Sequence, residues 1–468
     1  MKTKKTLTWV ASLSLLAAPV WAAQPVPAGA AASKSQPDAA PASSMRPSTQ
    51  LLAAKAMPRA TTPAAETFEL SQLLELAQST NKGVEAAQAN VDAATAAITT
   101  SRAYPNPQVE VMYGRLSGKQ PGVASGNAPS YAVVQKFDYP NQRSLRERMA
   151  GRGLEATEAQ RLSFRAELAA RVKTSYYQVL RRETELAAAR EDLNLMRQIQ
   201  ERAKVRVDVG EAPRYELIKA DTELLAAQKT LQTAELRVEQ AKASLRQQVG
   251  GAMPMRYGLH GSLANTPDIP TLAVLRDTMQ ANNAELIQRR SELERARLGV
   301  DYQRSLRLPE VALRASTDRQ PDNNVSQIGL VMTIPLWDRR SGPVGEATAQ
   351  ATQARTALEA REFELTQELD TAFQQYEITQ AQVTALESGI VREAESALGV
   401  AEAAYRFGER GILDYLDAQR VLRNARTELI NAQYEMQIAA IQIEKLMSAT
   451  PGAPTGPAPS MPVSPNLN

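Results

Sequence analysis

Two rhythms of apolar and polar residues alternate along the central part of this chain. Residues 70–103, 143–207 and 215–249, and then 271–307, 344–406 and 412–447, are dense in Ala, Leu, Glu, Gln and Arg, which favour helices. Between the first and second helical stretch of each set the period falls to two. Val109, Val111 and Tyr113 alternate with Glu110 and Met112, and Tyr131, Val133, Gln135, Phe137 and Tyr139 alternate with Ala132, Val134, Lys136 and Asp138. In the second set Val311, Leu313 and Ala315 alternate with Ala312, Arg314 and Ser316, and Ile328, Leu330, Met332 and Ile334 with Gly329, Val331 and Thr333. The pattern predicts helix, two strands, helix, helix, written twice. The Gly-, Asn-, Asp- and Pro-rich segments 116–130 and 317–326 are placed to turn two hairpins.

The doubling is also visible residue by residue, at a spacing of about 200 positions. Asn81 to Val109 aligns with Asn283 to Val311, and Gln78 with Gln280. Phe137-Asp138-Tyr139-Pro140-Asn141-Gln142-Arg143 lies against Ile334-Pro335-Leu336-Trp337-Asp338-Arg339-Arg340, and Gly210-Glu211 against Gly408-Glu409. So long a period repeats a whole structural unit rather than a solenoid turn. It divides the chain into a first repeat at 67–250, a linker at 251–270 and a second repeat at 271–449.

At about 1.5 Å per residue the helices measure roughly 50, 100 and 50 Å in each repeat. A compact domain of this chain length is only about 30 to 40 Å across, so the helices need neighbours along their length. Leu369, Tyr376, Val383, Ile390 and Ala397 recur every seventh residue, beside Leu358, Leu365 and Ala372, which predicts a supercoiled seam. An elongated coiled coil would give the same stripe, but it would not carry four period-two segments.

Those segments are about ten residues long, enough to cross an outer membrane as tilted barrel strands, with Tyr113, Tyr131, Tyr139 and Trp337 toward their ends. Four strands leave two unsatisfied edges in lipid, so closure requires several chains.

Composition adds limits. Lys2, Lys4 and Lys5 precede an apolar run from Leu7 to Ala18 and then Val20-Trp21-Ala22, which reads as a signal peptide over 1–22. Residues 23–66 and 450–468, rich in Ala, Pro and Ser, read as disordered tails. A formal net charge of +3 with both signs interspersed gives no footprint for nucleic acid. The chain has no Cys, which removes thiol nucleophiles and disulfides, and a single His, His260, and no cofactor or enzymatic activity is expected. Met253, Met255 and His260 lie close enough to imagine a soft-metal site, but a packed connector accounts for them, and no metal site is assigned.

Taken together, these residues resemble the TolC family of outer-membrane efflux proteins over nearly the whole structured region, and look most like its cobalt-zinc-cadmium resistance branch. The resemblance implies a mainly α fold with a transmembrane β-barrel. Three chains would form a twelve-stranded barrel above a long periplasmic α-helical barrel. It implies an outer-membrane exit duct that passively conducts what an inner-membrane pump expels. The partners implied are a homotrimer, outer-membrane lipid, a periplasmic adaptor of the membrane fusion type and an RND-type pump, with heavy-metal cations as cargo. Drug efflux and type I secretion stand as alternatives within the family, and a periplasmic adaptor or structural coiled coil outside it.

The resemblance also assigns residues. Tyr405 and Arg410 match the tyrosine and arginine that latch the family's periplasmic entrance, Glu216 their acidic partner, and Asp414 and Asp417 its two aspartate rings. From the residues alone, the Asp pair reads equally as a solvated helix start, and Arg410 with Glu216 as a surface ion pair. Gly210, Gly408 and Gly411 would turn the tips.

Overall fold

The structure, a computed structural model, describes residues 66–117, 122, 124–251 and 253–447. The expected signal peptide, the Ala/Pro/Ser-rich segment up to residue 65 and the C-terminal tail lie outside these residues. In the first repeat come β1 (Glu66–Phe68), α1 (Leu70–Thr80), α2 (Lys82–Arg102), β2 (Gln108–Leu116), β3 (Gly126–Phe137), α3 (Pro140–Asp208) and α4 (Arg214–Val249). Beyond them lie β4 (Tyr257–Leu259), α5 (Leu272–Asn282), α6 (Ala284–Ser305), β5 (Glu310–Arg319), β6 (Asn324–Thr333), α7 (Ser341–Ala385), a π-turn (Leu386–Ile390), α8 (Val391–Arg406) and α9 (Ile412–Met447). No described helix is long and apolar enough to cross a membrane.

Three helices expected as single rods are interrupted, each for a physical reason. The rods expected at 70–103 and 271–307 break at Asn81 and Asn283, which leave the helix in extended backbone and cap the next one. Asn81 Oδ1 accepts from the Gly83 N–H (2.8 Å), and Asn283 Oδ1 from Glu285 and Leu286 (3.0 and 3.1 Å). Each Nδ2 then donates to the last turn of its own repeat's return helix, Asn81 to the Gln248 carbonyl (3.1 Å) and Asn283 to that of Leu446 (2.8 Å). One side chain thus satisfies orphan groups on two helices.

The third break is the π-turn. It inserts one residue into the heptad, so the stripe predicted to continue through Ile390 and Ala397 moves on by one position. Ile390 is 51% exposed, while Val391 and Leu398 pack against buried Ala394, Leu422 and Ala425, and Tyr405 is 1% exposed. Above the turn the predicted stripe is buried at Leu369, Tyr376 and Val383.

Each repeat has its own core. Leu73, Leu168, Val172, Leu245 and Val249 pack together in the first, and Leu275, Met279, Leu365, Leu369, Met436 and Ile443 in the second. The segment between the repeats is tied to both. β4 pairs in parallel with β1, the Tyr176 hydroxyl donates to the His260 carbonyl (2.8 Å), and the Tyr376 hydroxyl donates to that of Pro267 (2.6 Å). Residues 257–259, expected as linker, and Glu66, expected in the disordered tail, are therefore strand.

The strands form one antiparallel sheet, ordered β2-β3-β5-β6. Cross-strand partners share a face, so the registers Val109↔Val133, Val111↔Tyr131, Phe137↔Val311, Leu313↔Leu330 and Ala315↔Ile328 merge the alternating apolar sets into one continuous surface. The opposite face is mixed and carries the charged pairs. Arg314 pairs with Glu110 at 3.0 Å and Lys136 with Glu310 at 3.9 Å, above buried Ala132 and Val134.

Candidate functional site: the helical tip

At the end remote from the sheet, α3 turns into α4 and α8 into α9 by the same backbone device. Gly210 and Gly408 stand at φ 80° and 74°, a left-handed conformation that glycine adopts without a Cβ penalty. The N–H of the next residue reaches back over the helix end: Glu211 to the Arg206 carbonyl and Glu409 to that of Ala404, both at 2.9 Å. This is the Schellman closure of a helix terminus. Gly411, expected to share the turning role, is not in the left-handed region; its value is proximity, because a Cβ there would lie 3.9 Å from Glu216 Oε1.

The tip core draws on both repeats. Leu193, Met196, Ile199 and Ala203 of α3, and Ala220 and Ala227 of α4, surround Tyr405 of α8 and Ile412, Tyr415 and Leu416 of α9. The rings of Tyr405 and Tyr415 lie 5.8 Å apart at 31°. The Arg206 guanidinium sits over the Tyr405 ring, 4.9 Å from its centre, and Arg202 bridges to Glu402 at 2.8 Å. Burial pushes the Tyr405 hydroxyl up, Arg206 pulls it back, and the Glu216 carboxylate pushes it up further. The Tyr415 hydroxyl is pushed up to about 12, chiefly by burial with Glu402 adding to it. Both phenols are neutral at any physiological pH.

Three polar atoms in this core have no hydrogen-bond partner: the Tyr405 and Tyr415 hydroxyl oxygens and Glu216 Oε2, all buried. A buried polar group left alone costs about 1 to 3 kcal/mol, and here it is one carboxylate oxygen without a donor and two phenols without any partner in a single chain. Tyr405, Glu216 and Gly411 are therefore brought together. Arg410 is not part of that group: its Nη1 lies 3.5 Å from Asp414 Oδ2, on the exposed side of the turn. Asp417 pairs likewise with Arg420 at 2.5 Å. The two aspartates expected to form rings at the entrance each have an arginine a turn away, as helix spacing of three and four allows.

Sequence reasoning did not single out Tyr415, Arg202, Arg206 or Glu402. Tyr415 sits in the stretch that carried Tyr405 and Asp414 and was legible as apolar and aromatic. The Arg202–Glu402 pair joins residues 200 positions apart and left no local signal. Among the described residues no group of His, Cys, Asp and Glu is arranged to hold a metal ion.

The family model for outer membrane efflux proteins matches residues 73–251 and 275–449, one match per repeat. The cobalt-zinc-cadmium resistance protein CzcC of Cupriavidus metallidurans is 26% identical over 387 residues, covering 82% of this chain and 91% of that protein. The nickel-cobalt-cadmium resistance protein NccC of Alcaligenes xylosoxydans is 26% identical over 307 residues, covering 64% of this chain and 68% of that one. Among solved structures, CusC superposes with a TM-score of 0.71 at 17% identity, over 81% of this chain and 92% of that one. The duplicated fold, the two-faced sheet and these matches agree: the chain belongs to the outer membrane efflux protein family, a channel and not an enzyme, with its sheet in the outer membrane and its helices in the periplasm.

Proposed function

We propose that the protein is the exit duct of a tripartite efflux system, working as a homotrimer. The observation that carries this is the sheet. Its apolar face is continuous and exposed across all four strands, and β2 and β6 are left with open edges. In lipid those edges must be paired, so β6 of one copy closes against β2 of the next, and three copies make a closed barrel of twelve strands. The helices continue it as a periplasmic tunnel that ends at the tips. A periplasmic adaptor docks at the turns around Gly210 and Gly408, and an RND-type pump supplies the energy. Heavy-metal cations are the cargo, in line with the names of CzcC and NccC.

The gate is the tip. Tyr405, Glu216 and Arg410 form the latch, with Arg410 of the assembled channel supplying the donor that Glu216 Oε2 lacks in one chain. Asp414 and Asp417 ring the opening, and their arginine neighbours temper a cation preference that bare carboxylates would make stronger. The test is conductance of the purified trimer in a planar bilayer. Arg410→Ala should raise it, and an unchanged conductance removes the latch. In the same apparatus the Asp414→Ala, Asp417→Ala double variant should shift the reversal potential in a salt gradient toward weaker cation preference. Loss of zinc, cobalt or cadmium tolerance on deletion of the gene, with drug tolerance and protein secretion intact, tests the cargo.

A further inference from the structure

Above the tip, a buried polar contact joins α3 of the first repeat to α9 of the second. Asp192 of α3 keeps only 10% of its side-chain exposure and accepts a hydrogen bond from Gln419 of α9, itself buried. Its other oxygen lies 3.6 Å from Arg423 of α9. One amide and one long ion pair are a thin set of donors for a carboxylate with about four acceptor sites. Of the remaining charges nearby, Glu223 of α4 repels it, while Arg426 of α9 is already engaged by Glu191 of α3 and Glu395 of α8. Asp192 lies on the wall of a groove of about 760 Å³ between α3, α4, α8 and α9. Any movement of α9 away from α3 would open Asp192 to the water of that groove.

We propose that Asp192 is a proton-sensitive positioning residue of the gate: protonated, it lets the α3–α9 seam close over it, and ionised, it loosens that seam. The inference rests on the tip being the gate. Its sign comes from linkage. Burial raises the carboxyl's affinity for a proton, the nearby Arg423 only partly opposing it, whereas a seam opened to water returns it toward the ordinary carboxylate range. The state that binds the proton more tightly is favoured by acid, so acid favours the closed seam and neutral pH primes it for opening.

Open probability of the full-length trimer in a planar bilayer, measured between pH 7.5 and 4.5, tests this. Wild type should fall several-fold on acidification. Asp192→Asn keeps the shape and the acceptor for Gln419 but cannot ionise; at pH 7.5 it should be as closed as acidified wild type, with a flattened pH profile. Arg423→Met removes the one compensating charge; it should be more open at pH 7.5 and close at a higher pH than wild type. An Asp192→Asn channel that keeps the wild-type profile overturns the proposal, since the pH dependence would then come from elsewhere. If Arg410→Ala opens the channel while Asp192→Asn keeps the wild-type slope, the acid lock alone fails. If Arg410→Ala changes nothing, the gate reading itself fails.

Discussion

In the first repeat α3 runs from Pro140 to Asp208 without interruption, whereas its counterpart in the second is cut by the π-turn at Leu386–Ile390 into α7 and α8. The two repeats match in the Asn81 and Asn283 caps, the tyrosine ties to the linker and the glycine closures of the tips. They differ below the π-turn. Tyr405, Arg410 and Asp417 stand where the first repeat has Val207, Ala212 and Lys219. A π-turn inside a long α-helix is frequently found at a functional site. If the tip is the gate, as proposed above, this difference makes the first repeat the fixed strut and the second the moving arm.

The sharpest way to break that assignment is to empty the two tips in turn. Tyr405→Ala removes a side chain 1% exposed from a core shared by four helices, and should cost the closed tip about 3 to 5 kcal/mol. Val207→Ala trims a half-buried residue and should cost about 1 kcal/mol or less. Bilayer conductance and protease sensitivity at the tip turns should rise for the first and stay near wild type for the second. Equal effects would mean that both tips move.

Next in size come the caps, where the repeats should behave alike. Asn283→Ala and Asn81→Ala each remove a helix cap and a bond to the return helix, at a cost of about 1 to 2 kcal/mol. Asn283 is buried and caps two N–H groups, Asn81 is only part-buried and caps one, so the second-repeat variant should have the lower thermal midpoint. A larger loss for Asn81 would show that the first repeat's junction bears more of the stability than its geometry suggests.

These caps also show what the sequence could and could not disclose. Asn81 and Asn283 were visible as aligned anchors, but a helix pattern dense in good formers ran through both. What breaks the helix is a carbonyl some 165 residues away, which no window contains. The strands were legible because a sheet with one face in lipid must alternate, and the registers needed nothing beyond that parity. β1 and β4 were not, since three residues each carry no periodicity and their pairing spans the whole first repeat. At the tip, the Glu216 carboxylate lies near enough to act on the Tyr405 hydroxyl, whereas Arg410 turns to Asp414, four residues on. The heptad predicted burial at Leu369, Tyr376 and Val383 and then failed at Ile390, because one inserted residue leaves composition unchanged while rotating everything beyond it.

That insertion supplies the test with the smallest expected effect on stability and the greatest power to separate the repeats. An α-helix turns about 100° per residue. Deleting Gly389 removes the surplus residue, so the π-turn can relax to α-helix while Val391, Leu398 and Tyr405 stay on the buried seam. Gly389 is half-buried, yet a side chain added there would meet open space, so nothing packed is lost. The thermal midpoint should stay within about 2 °C of wild type, while opening, measured as channel conductance with docked adaptor and pump, should fall because the hinge is gone. The same deletion in unbroken α3, at Glu191, has no surplus to absorb it. It rotates Leu193, Met196, Ile199 and Ala203 out of the tip core and should abolish the folded trimer. If the Gly389 deletion opens normally, the π-turn is only a register correction, and the moving arm must bend somewhere else.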